Sequence, residues 1–250
     1  MSVGEIVAIA CAGLAAGTIN TVVGSGTLIT FPVLLAFGYA PVTANVSNTI
    51  GLVPGSVSGA IGYRHELAGQ KERALRLGAM SVAGGITGAV LLLLLPASAF
   101  KDIVPVFIVV ALALTVLQPR LRARLLGREH HIQRRLRILT PIAVYVTGVY
   151  GGYFGAAQGI LLLAILGVAL EQDLQRTNAL KNVLAGLVNG VAGLYFIFEA
   201  HVDWAPAGII ALTSIVGAQL GARYGRRLPP AGLRAVIVVV GVFAIVRLLV

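Results

Sequence analysis

The 250-residue sequence is poor in charge, because Asp, Glu, Lys and Arg make up 11% of it whereas 58% is hydrophobic. A soluble domain carries about 25% charged residues. A soluble protein this apolar would have too little polar surface to cover its outside in water. The shortage of charge therefore excludes an ordinary soluble domain and predicts that lipid surrounds much of the chain.

Other absences narrow the function. The single Cys11 excludes an internal disulfide. All nine acidic residues and all four histidines fall at the ends of apolar segments or in loops, so no carboxylate or histidine stands in the bilayer as a proton relay. The sequence also lacks a phosphate-binding P-loop, a Gly-x-Ser-x-Gly motif and a metal-ligand cluster. We therefore expect no enzymatic activity, no cofactor and no metal.

Apolar stretches recur along the whole chain, and the alternating pattern of barrel strands is missing. A membrane-spanning helix needs about 20 mostly apolar residues. The pattern predicts an all-α polytopic membrane protein with helical segments at about 3–17, 26–38, 45–62, 74–95, 104–118, 138–152, 158–170, 178–199, 204–222 and 232–249. The segments 26–38 and 158–170 are short and follow glycine-rich breaks. We interpret 3–38 and 138–170 as broken or re-entrant hairpins that return to the side they entered.

An internal repeat is also predicted. The two halves align without gaps at an offset of 133, which places Gly26 on Gly159 and Asn45 on Asn178. Each half then holds one hairpin and three full spans, so its odd number of crossings starts the second copy on the opposite side, as in inverted-repeat transporters. The predicted division is a first transmembrane repeat over 1–118, a basic linker over 119–137 and a second repeat over 138–250.

The net charge of +10 is concentrated in three loops, at 64–76, 119–137 and 223–227. Few aromatic residues accompany these arginines and lysines, so we interpret them as topology signals and exclude nucleic acid as a partner. When each hairpin counts as two crossings, all three loops fall on one side. The positive-inside rule then predicts a cytoplasmic linker and two external termini.

Glycines and polar residues cluster at the two breaks, over 17–27 and 148–159. Glycine allows positive φ and lets the backbone approach a ligand. A helix that begins at membrane depth presents free N–H groups and the positive end of its dipole, which favour an anion. The alternative is close helix packing through small residues, and this is how we interpret Gly51, Gly55 and Gly59.

A second motif opens the helix that follows each hairpin. Asn45 and Asn48 are three residues apart, as are Asn178 and Lys181, so each pair shares one helical face. A polar group at this depth needs a partner, because an unpaired one in hydrocarbon is costly. Two interpretations of Lys181 stay open: it binds the solute, or it extends to the cytoplasmic interface.

With these motifs the sequence resembles the sulfite exporter TauE/SafE family of membrane permeases over nearly its whole length. The likeness is carried by Gly24-Ser25-Gly26, Pro32-Val33-Leu34-Leu35, the run 44–49, Gly155 with Gly159, and the run 177–182. The resemblance implies a bacterial inner-membrane carrier that exports sulfite, an organosulfonate or a related compound. Family members usually have more glycine after both breaks, which leaves the substrate open.

The sequence thus predicts a membrane transporter, acting as an exporter, of a small anion. The alternatives are a permease for a neutral or cationic solute and a membrane scaffold whose glycines only pack helices. The candidate substrate-binding residues are Asn20, Thr21, Gly24, Ser25, Gly26, Asn45, Asn48, Tyr153, Gly155, Gln158, Gly159, Asn178, Lys181 and Asn182. The expected partners are the anion and the lipid bilayer, and a homo-oligomer is left open.

Overall fold

The computed structural model describes residues 1–126, 130–170 and 172–225, together with positions 232, 235, 238, 239 and 242. Within this part of the chain all regular structure is helical. The helices are α1 (Val3–Val22), α2 (Thr27–Ala36), α3 (Pro41–Gly62), α4 (Lys71–Leu94), α5 (Ala97–Leu126), α6 (His130–Tyr153), α7 (Gln158–Ala169), α8 (Leu174–Glu199) and α9 (Trp204–Tyr224). The predicted segment at 232–249 lies outside the described residues, apart from the isolated positions.

Five of the described helices are long and apolar enough to cross a bilayer: α1, α4, the Ser98–Leu117 part of α5, α8 and α9. Large apolar side chains such as Leu94, Phe198 and Leu212 are more than two-thirds exposed, at 74%, 76% and 71%. Such a surface suits lipid rather than water. The helices α2 and α7 have 10 and 12 residues, about 15 and 18 Å, and are too short to cross alone. The chain is an all-α, multi-pass membrane protein, as predicted.

Several helices extend beyond the predicted limits because of local start signals. Pro41 occupies the first turn of α3, where its fixed φ and missing N–H suit a helix start. Asp173 caps α8 by accepting from the amides of Gln175 and Arg176 at 2.7 and 3.2 Å. The helices α5 and α6 likewise continue into the predicted linker at 119–137, and only residues 127–129 between them are not described.

The helices α3 and α8 pack against each other in opposite directions. Gly193 of α8 faces Ile50 in the first half of α3, whereas Gly186, which is earlier in α8, faces Ser56, which is later in α3. The start of each helix therefore lies at the end of the other. Antiparallel packing of these two matched helices is what an inverted repeat requires, although the repeat itself stays a prediction.

Hydrogen bonds tie the two ends of this pair in a matching way. At one end Gln70, from the loop after α3, donates through Nε2 to the carbonyl of Arg176 in α8 at 3.1 Å. At the other end the amide of Asp203, from the loop after α8, donates to Ser47 Oγ in α3 at 2.9 Å. Each loop therefore contacts the first turns of the opposite helix.

Glycines line the closest helix pairs, which are α1 with α9, α3 with α9, α4 with α6 and α4 with α8. A Cβ at Gly217 would collide with the carbonyl of Leu14, and one at Gly84 would collide with the carbonyl of Tyr145. In the predicted repeat, α1 corresponds to α6, α3 to α8 and α4 to α9. The pair of α1 with α9 then corresponds to that of α6 with α4, and the pair of α3 with α9 to that of α8 with α4. Every such pair joins a helix of the first half to one of the second.

The predicted packing role of the α3 glycines is confirmed. Gly51 lies against Ile210 and Gly55 against Ser214, so both face α9. Gly59, one turn further on, lies against Thr21 near the end of α1. A side chain at any of the three would meet atoms closer than 3.0 Å, so the seam sets how closely these helices approach.

The first hairpin returns to the end of the bundle from which it starts. Tyr39, which follows α2, donates its hydroxyl to Glu5 Oε1 in the first turn of α1 at 2.6 Å. Burial, and then this bond, raise the pKa of Tyr39, so its phenol stays protonated as the donor. In the second half, α6 runs parallel to α4, and Arg73 at the start of α4 donates to Oε1 of Gln172, which follows α7, at 2.8 Å. The second hairpin therefore also returns to the end from which it starts, and this end is opposite to the one that the first hairpin uses.

Three basic regions of the described chain share one end of the bundle. The loop 63–70, the start of α6 and the end of α9 all lie at the end where α8 begins, whereas Glu5 and Asp203 lie at the other. Arg64, Arg73 and Arg223 therefore stand on the same side. This arrangement agrees with the positive-inside prediction, and the orientation in a membrane stays to be tested.

We expect the basic end to be cytoplasmic. In a Cys11→Ser background, Ser98→Cys should react with a membrane-impermeant maleimide in intact cells. Arg128→Cys and Arg223→Cys should react only after the cells are permeabilised. The probe at the end of α9 is placed at the exposed Arg223, because the nearby Gly225 is buried against Val22. If position 128 is labelled from outside in intact cells, the predicted orientation is wrong and the basic end faces outside.

Candidate functional site

Both hairpins contain a helix break with the same backbone conformation. After α1, two successive amides, the second of them that of Gly24, donate to the carbonyl of Ile19 at 2.7 and 3.0 Å. After α6, two successive amides, the second that of Gly155, donate to the carbonyl of Tyr150 at 3.0 and 3.1 Å. Gly24 and Gly155 have φ of 89° and 78°, a conformation that favours glycine at a helix end.

This shared conformation refines the alignment of the two halves. It matches Gly24 with Gly155, an offset of 131, whereas Asn45 and Asn178 keep the predicted offset of 133. The helix α7 is two residues longer than α2, with 12 residues against 10, and this accounts for the difference. At the breaks themselves the gapless alignment is therefore out of register by two residues.

The two breaks meet in the core. The amide of Gly159, at the start of α7, donates to the carbonyl of Gly24 at 3.0 Å. A Cβ on either glycine would collide with the Cα of the other. Gly26 packs differently, because a Cβ there would lie 2.6 Å from the carbonyl of Ala16 in α1. The space beside all three glycines is thus filled by protein backbone, as the packing alternative expects.

Three side chains of α8 converge on the carbonyl end of α1. Lys181 is fully buried, and its Nζ donates to the carbonyls of Asn20 and Thr21 at 2.8 and 3.2 Å. Asn178 and Asn182 donate through Nδ2 to the same Thr21 carbonyl at 3.0 and 3.3 Å. A cation is favourable here, because a helix C-terminus carries partial negative charge. The alternative in which Lys181 extends to the cytoplasmic interface is wrong.

The carbonyl end of α6 has fewer partners. Asn45 donates through Nδ2 to the carbonyl of Tyr153 at 3.0 Å, as Asn178 does at α1. Asn48, which holds the position of Lys181 in the first half, turns instead to α2. It accepts from the hydroxyl of Thr30 and donates to Thr27 Oγ1 at 3.3 Å. The first half thus has an amide where the second half has an ammonium.

Several buried polar atoms around the breaks have no hydrogen-bond partner among the described residues. Those that belong to predicted site residues are Ser25 Oγ, Asn45 Oδ1, Tyr153 OH, Gln158 Nε2 and Asn178 Oδ1. Nearly all buried polar groups in proteins are paired. Unpaired groups concentrated at the meeting point of two broken helices therefore suggest a site for a polar solute.

Lys181 also dominates the electrostatics of the core. It is the one charged side chain that is buried in the part of the chain that the structure describes. Its Cδ lies beside Gly159, which contacts Gly24, so the positive charge stands at the meeting point of the breaks. No buried carboxylate among the described residues neutralises it, and a positive charge in a low-dielectric interior attracts an anion.

An aromatic cluster, which the sequence analysis missed apart from Tyr153, lies beside the break after α6. Its members, from α2, α5, α6 and the break, are Phe31, Phe100, Phe107, Tyr150, Tyr153 and Phe154, with ring centroids 5.1 to 6.4 Å apart. The chain contains only 16 aromatic residues in all (8 Phe, 7 Tyr and 1 Trp). Their concentration here forms an apolar wall next to the polar site.

A multi-pass bundle whose two broken hairpins meet at buried polar groups defines a membrane transporter. The model of the family described as Sulfite exporter TauE/SafE matches residues 9–248. The chain belongs to this family, as the motifs around the breaks predicted.

Bacterial relatives support the same class. A probable membrane transporter protein YfcA of Escherichia coli K12 is 30% identical over 217 residues, which is 85% of this chain and 76% of the relative. A probable membrane transporter protein ORF9 of a Sinorhizobium species is 28% identical over 239 residues, 95% of this chain and 90% of the relative. No solved structure gives a significant match.

Proposed function

We propose that the protein exports a small anion, such as sulfite or an organosulfonate, across the bacterial inner membrane. The observation that carries this proposal is the buried ammonium of Lys181 at the meeting point of the two breaks, without a buried carboxylate among the described residues. The family to which the chain belongs is described as a sulfite exporter family, which supports a sulfur oxyanion.

The start of α2 supplies donors for such an anion. The amides of Ser25, Gly26 and Thr27 have no acceptor among the described residues, and Ser25 Oγ is also unpaired. The positive end of the α2 dipole points the same way. Backbone amides, a hydroxyl and a neighbouring ammonium together replace the water around the oxygens of a sulfite or sulfonate.

The second half contributes from the other side. Gln158 Nε2 and the Tyr153 hydroxyl are buried donors without a partner among the described residues. The remaining predicted residues, Gly155, Asn48 and Asn182, shape or brace this site rather than face a solute with free atoms. All these groups bind and orient, so we propose transport without a chemical reaction.

Flux measurements separate this proposal from its alternatives. Purified protein in liposomes should move labelled sulfite, and simple sulfonates should compete, whereas neutral and cationic solutes of similar size should not. Competition by cationic solutes alone would instead favour a permease for a cationic solute. Protein that binds no solute and gives no flux would leave the scaffold interpretation, in which the glycines only pack helices.

We also expect efflux of the anion to follow the membrane potential. An anion leaving a compartment that is negative inside gains about 2.3 kcal/mol per charge per 100 mV. This corresponds to roughly a fifty-fold gradient. Efflux should therefore speed up when the liposome interior is made negative, with sodium and pH equal on both sides. If efflux does not respond to the potential but follows a pH gradient, transport of the anion alone is wrong and the anion moves in a coupled mechanism.

A further inference from the structure

The two broken helices end in the same way but are capped differently, and the difference defines a second ion site. Matching Gly24 with Gly155 makes the carbonyls of Gly151 and Gly152 in α6 the equivalents of those of Asn20 and Thr21 in α1. At α1 these carbonyls accept from the Lys181 ammonium at 2.8 and 3.2 Å. We propose that at α6 a monovalent metal cation takes the place of that ammonium.

The oxygen atoms for this cation are available in the first half. The carbonyls of Gly151 and Gly152 accept no hydrogen bond from the described residues. Asn45 is fully buried, its Nδ2 donates to the neighbouring carbonyl of Tyr153, and its Oδ1 has no partner in the described part of the chain. Because the last carbonyls of a helix point the same way along its axis, these three oxygens stand at one helix end.

The chemistry of the oxygens selects the class of ion. All are neutral amide oxygens at the negative end of a helix dipole, which favours a cation. A divalent ion such as calcium is normally held by several carboxylates, and the acidic residues described lie at the bundle ends. Helix ends and unwound carbonyls are the usual ligands of sodium in broken-helix transporters. Sodium is therefore the first probe.

Asn48 explains why the site needs an ion from outside the chain. It occupies the position of Lys181 in the first half, but its amide is held by Thr27 and Thr30 of α2. No lysine or arginine of the described residues reaches the α6 carbonyls. The ammonium of one half and the bound cation of the other would thus balance the two helix ends.

Thermal unfolding of the purified protein tests this without a transported anion. Sodium chloride should raise the Tm saturably, by about 5 °C, relative to choline chloride at the same ionic strength. Asn45→Leu should abolish that rise. The matched Asn178→Leu variant loses the equivalent cap at α1, where Lys181 remains, and should keep the rise.

A second variant supplies the charge from the chain itself. Asn48→Lys places an ammonium at the position equivalent to Lys181, so its Tm should become independent of sodium. The proposal is wrong if neither sodium nor potassium raises the Tm of the natural protein above the choline value, or if Asn45→Leu responds like the natural protein. Because no flux is measured, these outcomes are independent of whether the anion proposal holds.

Discussion

Replacing Lys181 with methionine should lower anion transport on the order of 100-fold. Methionine keeps the length and the apolar contact with Gly159 but removes the charge that faces the carbonyls of Asn20 and Thr21. Hydrogen bonds of charged groups are worth about 1.5–3 kcal/mol each, and 1.4 kcal/mol is tenfold in binding. The measurement is sulfite flux in liposomes, normalised to folded protein.

Thermal stability distinguishes the two roles of this lysine. If Lys181 only caps α1, the methionine variant loses Tm but transports normally per folded molecule, which would contradict its role in binding the anion. Lys181→Arg keeps the positive charge in a different shape and should recover part of the anion affinity. Asn182→Leu is the neutral control, since it removes one bond to Thr21 without changing the charge.

Replacing Gly159 with alanine should disrupt both the fold and transport. The added Cβ would overlap the backbone of Gly24, and backbone cannot rotate aside as a side chain can. We expect a loss of about 3 kcal/mol, near the upper end for overpacking, and a fall in Tm of about 6–12 °C. Transport should be lost as well, because the contact between the two breaks is displaced.

The same helix offers a matched control for this change. Gly167 lies two turns further along α7, and a Cβ there meets nothing within 4 Å. Gly167→Ala should therefore be neutral or stabilising by up to about 1 kcal/mol, because alanine is the better helix former. Unfolding scans and flux on both variants check the pair. Equal Tm values would show that the breaks do not pack as closely as described.

The sequence predicted the elements whose signals are local. Long apolar runs identified α4, α8 and α9, and the glycine-rich stretches identified both breaks, because positive φ at Gly24 and Gly155 needs that residue. The polar residues beside the breaks were also predictable from the sequence. Ser25 and Gln158 stand out there because they lie between long apolar stretches.

Features set by distant contacts were not predictable in this way. Whether Lys181 extends to the interface or bonds to the end of α1 depends on carbonyls about 160 residues away in sequence. The packing of Gly26 was not predictable either, since the space beside its Cα is filled by the backbone of α1. The offset of 131 at the breaks required the backbone bonds themselves, because the side-chain identities favoured 133.

The glycine-lined helix pairs have a consequence for how the protein is made. Since α1, α3 and α4 each pack most closely on α6, α8 or α9, the first half leaves the ribosome before its partner surfaces exist. The glycine faces of α1 and α3 that pack on α9 must meet lipid until α9 has been made. Closure of this part of the bundle is therefore a late event, and a chain truncated before α9 leaves α1 and α3 without their shared neighbour.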